Sequence, residues 1–76
     1  MITVRLYGLL RLDSGIRERQ LEADSVREVY RRLQELGLSR KDLQGCVVLV
    51  NGKPANKLKK LQDGDVLQLM SPVAGG

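Results

Sequence analysis

No histidine occurs anywhere in the 76 residues, and cysteine occurs once, at Cys46. Without histidine the chain lacks the usual general base near neutral pH, and with it the Ser/His/Asp and Cys/His nucleophile arrangements. Ordinary hydrolase chemistry is therefore not expected. A lone cysteine closes no disulfide within the chain and, without histidine, completes no Cys/His zinc site, so a reducing, cytoplasmic setting is expected. Aromatic side chains are limited to Tyr7 and Tyr30, neither of which lies among the lysines. Nucleic-acid binding is left without its stacking platforms. The longest unbroken apolar stretch, Cys46–Val50, is far too short to cross a bilayer. No leader of charged, apolar and small residues opens the chain. Neither nucleic acid nor membrane is an expected partner.

What is present fits one small domain. At 8.5 kDa the chain is about half the usual domain length, yet 42% apolar and 29% charged residues are enough to fold it. A domain of this size buries only about 60% of its unfolded surface, which disfavours a deep cleft. Function is therefore expected at an edge or a terminus. Thirteen Lys and Arg against nine Asp and Glu leave a net charge of +4, a balance that favours an acidic partner without naming one. The positives gather at Arg31-Arg32, at Arg40-Lys41 and at Lys57, Lys59 and Lys60.

Apolar and polar residues alternate from Ile2 to Tyr7, the period of a half-buried strand. Gly8 ends it. Asp13-Ser14-Gly15 supplies turn chemistry before a charged segment, Ile16 to Glu22, that reads as an edge strand. Ser25-Val26-Arg27-Glu28 has the capping-box pattern and starts the main helix. Val26, Val29, Tyr30, Leu33 and Leu36 then recur as one apolar stripe. Gly37 is placed to end the helix in the left-handed conformation, with Leu38 folding back on the last turn. Ser39 to Asp42 begins a short helical turn. Cys46–Val50, rich in β-branched residues, is predicted as a buried central strand, followed by the hairpin dipeptide Asn51-Gly52. A short strand is placed within Asn56–Leu61 and the last strand at Val66–Met70, stopped by Ser71-Pro72. The pattern predicts an α+β fold, a sheet with one helix across one face, occupying residues 1–71. Residues 72–76 are expected to be a flexible tail.

That tail is the most informative segment. Gly75-Gly76 has no side chains and can pass a narrow channel, placing a terminal carboxylate beside another enzyme's nucleotide. An ionised carboxylate attacks phosphorus but is a poor acyl donor, so activation must come from outside. Adenylation would give a mixed anhydride that a sulfur or amine nucleophile opens, with AMP leaving.

Here the sequence resembles the ubiquitin-like sulfur carriers of β-grasp fold, most of all the small subunit of molybdopterin synthase. The resemblance covers essentially the whole chain: the Ile/Val strand from Ile2, the helix from Ser25, Val47-Val48-Leu49-Val50-Asn51-Gly52, Leu61-x-Asp63-Gly64-Asp65, and the ending Pro72-Val73-Ala74-Gly75-Gly76. It implies a mixed sheet of four to five strands and a non-catalytic carrier. On that likeness, Gly76 is adenylated by a ubiquitin-activating-like adenylyltransferase, becomes a thiocarboxylate, and enters the large subunit of molybdopterin synthase, where the sulfur passes to a pterin precursor. Gly75 would give clearance, while Ala74, Val73 and Pro72 would line the partner's channel. No bound cofactor is implied, only the covalent acyl-AMP and then the thiocarboxylate. The +4 balance leaves open a thiamin-type sulfur carrier or a protein modifier conjugated through Gly76. Both share the first activation step.

The remaining residues have simpler readings. Cys46 opens an apolar strand and reads as a core thiol. Asp63 and Asp65 read as turn residues, too few for a hard-cation site, so no metal is assigned. Lys57, Lys59 and Lys60 read by default as solvated surface, the alternative being contact with acidic residues on the activating enzyme. Met70, just before the tail, and Val73, within it, are apolar and are expected contact residues for a partner.

Overall fold

The computed structural model describes residues 1–71; the expected tail, Pro72 to Gly76, lies outside the described residues. Five strands form one mixed sheet: β1 (Ile2–Tyr7), β2 (Glu18–Leu21), β3 (Val47–Val50), β4 (Lys53–Pro54) and β5 (Val66–Met70). Their spatial order is β2-β1-β5-β3-β4. β5 runs parallel to β1 and antiparallel to β3, while β2 and β4 close the two edges with antiparallel pairs.

Three helices interrupt the strands: α1 (Leu9–Ser14), α2 (Val26–Glu35) and α3 (Arg40–Gln44). α2 starts with the serine half of its capping box, the Ser25 hydroxyl accepting from the Glu28 amide at 3.2 Å, while the Glu28 carboxylate, expected to reciprocate, pairs with Arg31 at 2.8 Å. It ends in a Schellman pair, the Leu38 amide donating to the Leu33 carbonyl and the Gly37 amide to the Gln34 carbonyl, at 3.1 and 3.0 Å. Gly37 has φ 106°, which only glycine adopts without strain. Val26, Val29, Tyr30 and Leu33 of α2 join Ile2, Val4, Leu6, Val48, Val50, Leu67 and Leu69 of the sheet in a single core. Burying apolar area at about 25 cal/mol per Å² makes this cluster the main force holding helix to sheet. Among the described residues no helix is long and apolar enough to cross a membrane.

Four expectations are corrected. α1 stands where the sequence pointed only to the end of a strand and a turn; it has no side-chain N-cap and buries only Leu10, so it lacks the usual helical signals. The turn residues instead terminate it, Ser14 donating to the Leu10 carbonyl at 2.6 Å and Gly15 adopting φ 74°. The central strand is β5, while β3 alternates in exposure and leaves Val47 50% exposed. One sheet face is open, so centrality does not demand an unbroken apolar run. The short strand is Lys53–Pro54, an edge position that proline tolerates, and Asn56–Leu61 makes only an isolated bridge from Lys60 to Ser25. Leu36 is exposed, because the chain leaves the helix there and Leu38 takes the buried place.

Candidate functional site

The site is the place where β5 delivers the chain toward the tail. Parallel pairing sets Tyr7 beside Met70, and antiparallel pairing sets Val47 on its other side. Cross-strand neighbours share a face, so Tyr7, Met70 and Val47 form an apolar row on the sheet surface opposite α2. The next row along carries Arg5, Gln68 and Leu49. Gln68 donates through Nε2 to the Tyr7 hydroxyl at 3.2 Å, and Arg5 is paired with Glu18 at 2.9 Å. Leu9, 47% exposed, follows Tyr7 and Gly8 at the same end.

Ser71 is fixed by the start of α1. The Leu9 amide, an orphan donor of the first helical turn, donates to Ser71 Oγ at 2.9 Å. Gly8 makes this approach possible in two ways: it adopts φ 65°, and a Cβ there would lie 2.5 Å from Ser71 Oγ. The last described residue is thus tied laterally to the β1–α1 turn. The sequence gives no sign of this contact, since Leu9 and Ser71 stand 62 positions apart.

Of the expected site residues, Met70 is placed at the exit, half-buried in the apolar row. Pro72, Val73, Ala74, Gly75 and Gly76 lie outside the described residues. Cys46 is no part of the exit. Its Sγ donates to the Asp42 carbonyl at 3.0 Å, and burial, aided by the Asp42 charge, pushes the thiol up to about 11. That keeps it a thiol rather than a nucleophilic thiolate. Asp63 takes the Met1 ammonium group. Asp65 accepts from the Gln62 amide and, next in effect, from Asn51 Nδ2, each at 2.9 Å, and these bonds hold its carboxyl below the usual range. Both aspartates stitch turns. Among the described residues, no group of three His, Cys, Asp or Glu could hold a metal ion.

A mixed five-strand sheet gripping one long helix, with its central strand running out toward a double-glycine ending, defines a ubiquitin-like β-grasp protein. The chain belongs to the ThiS family, which matches over residues 4–76, and is a ubiquitin-like sulfur carrier. Among solved structures it is similar to the complex of subunits 1 and 2 of molybdopterin-converting factor from Helicobacter pylori, at 29% identity and TM-score 0.76, covering 99% of this chain and 97% of that one. It is similar in fold to SAMP1 from Haloferax volcanii, at 24% identity and TM-score 0.81, covering 99% and 98% of the two chains. Urm1 from Trypanosoma brucei aligns at 25% identity and TM-score 0.74, over 99% of this chain and 94% of that one. A comparison with curated proteins finds no match.

Proposed function

We propose that this chain carries sulfur as a thiocarboxylate on Gly76 and delivers it as the small subunit of molybdopterin synthase. The observation that carries the reading is the family match running through the Gly75-Gly76 ending of a chain whose central strand is the last element before it in sequence. The carboxylate oxygen of Gly76 attacks the α-phosphorus of ATP, pyrophosphate leaves, and an acyl-AMP forms. A sulfur nucleophile at the sulfide level then attacks the acyl carbon, AMP leaves, and the thiocarboxylate remains. An adenylyltransferase of the ubiquitin-activating kind supplies the first step. The body has no part in the bond changes; the chain is substrate and handle rather than enzyme.

The molybdopterin assignment is supported by the likeness to a molybdopterin-converting factor pair solved as a protein–protein complex. The row of Tyr7, Met70 and Val47 offers a partner subunit an apolar surface beside the tail. Pro72, Val73 and Ala74 would line the channel of that subunit, with Gly75 giving clearance. The second reading, a protein modifier joined through Gly76 to a lysine, is favoured by the likeness to small archaeal modifier proteins. Intact-mass measurement after incubation with the activating enzyme, ATP and a sulfur donor separates them. Exchange of one terminal oxygen for sulfur is expected, and its loss on deletion of Gly75-Gly76 with the fold retained. An unchanged mass with a demonstrably active enzyme would sink the proposal, and isopeptide conjugates without thiocarboxylate would establish the modifier instead.

A further inference from the structure

The positive charge of this chain is concentrated on one region. Two grooves, of about 740 and about 640 Å³, adjoin at Leu58, which lines both and is 76% exposed. Lys53, Lys59 and Lys60 border the first; Arg27, Arg31, Arg40 and Lys57 border the second. Seven of the thirteen cations therefore face these grooves, against two of the nine carboxylates, Asp65 and Glu28. The six cations and seven carboxylates elsewhere nearly cancel, so the whole surplus of +4 is a local field. Both groove carboxylates are already engaged, Asp65 by Asn51 and Gln62, and Glu28 by Arg31 at 2.8 Å and Arg32 at 3.7 Å. Arg27, Arg40, Lys53, Lys59 and Lys60 make no ion pair among the described residues. Lys57 Nζ sits 5.8 Å from the centre of the Tyr30 ring, which steadies it at the groove wall.

The position of the patch matters as much as its charge. The first groove borders Asn51 and Asp65, at the start of β5, whereas Met70 ends that strand about 13 Å further on at the usual strand rise. A partner held here leaves the tail exit clear. We propose that the ridge centred on Leu58 binds an acidic protein segment carrying an apolar side chain. Acidic residues would fill the two grooves on either side, and the apolar side chain would cover Leu58, the desolvated centre that charge alone cannot supply. Single-stranded nucleic acid fits less well: the one ring present, Tyr30, is buried beneath Lys57 and offers no stacking face.

The test is an amide-shift titration of the isotope-labelled full chain with a synthetic octapeptide of glutamates and a central leucine. Saturable shifts are expected at Arg27, Lys57, Leu58 and Lys60, with affinity falling as salt is added. The combined Arg27→Glu, Lys57→Glu and Lys60→Glu variant should bind about tenfold or more weakly. Undiminished binding by Leu58→Ala overturns the apolar half of the assignment. No saturable shifts, shifts centred on Tyr7 and Met70, or equal binding of the glutamine version of the peptide overturn the whole of it. Tighter binding of an oligouridylate strand would replace the protein segment by RNA. The chain without Gly75-Gly76 should bind the octapeptide unchanged, so failure here is separable from failure of the sulfur-carrier reading.

Discussion

Cys46 shows how far one side chain's chemistry is set by its surroundings. Its packing against the core and the nearby Asp42 raise the thiol from 9.0 to about 11. At neutral pH the folded chain then presents about a hundredfold less thiolate than an unburied cysteine. Reaction with a thiol-specific disulfide reagent should be correspondingly slow in the native protein and fast once denaturant is added; equal rates would contradict the half-buried placement. The same shift fixes the sign of a pH effect. Because the fold accommodates the neutral thiol, its contribution to stability is complete below pH 9 and declines as the pH climbs toward 11. Denaturant titrations should show that alkaline decline reduced in Cys46→Ala. That this residue is structural was legible from its apolar neighbours and the absence of histidine. The Asp42 carbonyl as its partner was not, because that bond depends on how α3 is set against the start of β3.

Among the elements, the β1–α1 turn is the one whose disturbance should reach the tail. Gly8→Ala forces an L side chain into φ 65° and drives a methyl group against Ser71 Oγ. A cost of about 1–3 kcal/mol is expected from the backbone alone. Thermal melts should show the loss, and Ser71→Gly in the same chain should recover the steric share but not the backbone share. If Gly8→Ala melts with the parent protein, the tie between this turn and Ser71 is wrong. Elements with a local code were legible in the sequence: β1 in its alternation, α2 in Ser25 and Gly37, the Asn51-Gly52 hairpin in its two positive φ angles of 52° and 83°. Elements without one were not. α1 has a single buried residue and no cap, and β4 has only two residues, so nothing in their composition separates them from loop.

For the whole molecule, the decisive fact is which strand stands in the middle. Leu67 and Leu69 of β5 are fully buried between α2 and the neighbouring strands. Leu69→Ala should cost about 2–5 kcal/mol. That is a large share of the roughly 5–10 kcal/mol that holds a small domain folded. Calorimetry should find a markedly lowered melting temperature, and an unchanged one would mean the core is not organised around this strand. The strand order was not legible, since alternation tells which face a residue takes and says nothing of which strand lies beside it. Cys46–Val50 looked central because it is the most apolar run, whereas the protein gives the middle to the segment that must hand on the chain.

β5 is bonded along its length to a parallel neighbour and an antiparallel one. A pull along the axis of β5 therefore loads both ladders in shear, so their bonds must give way together rather than one after another. Drawn in that direction, β5 cannot be unzipped from one end.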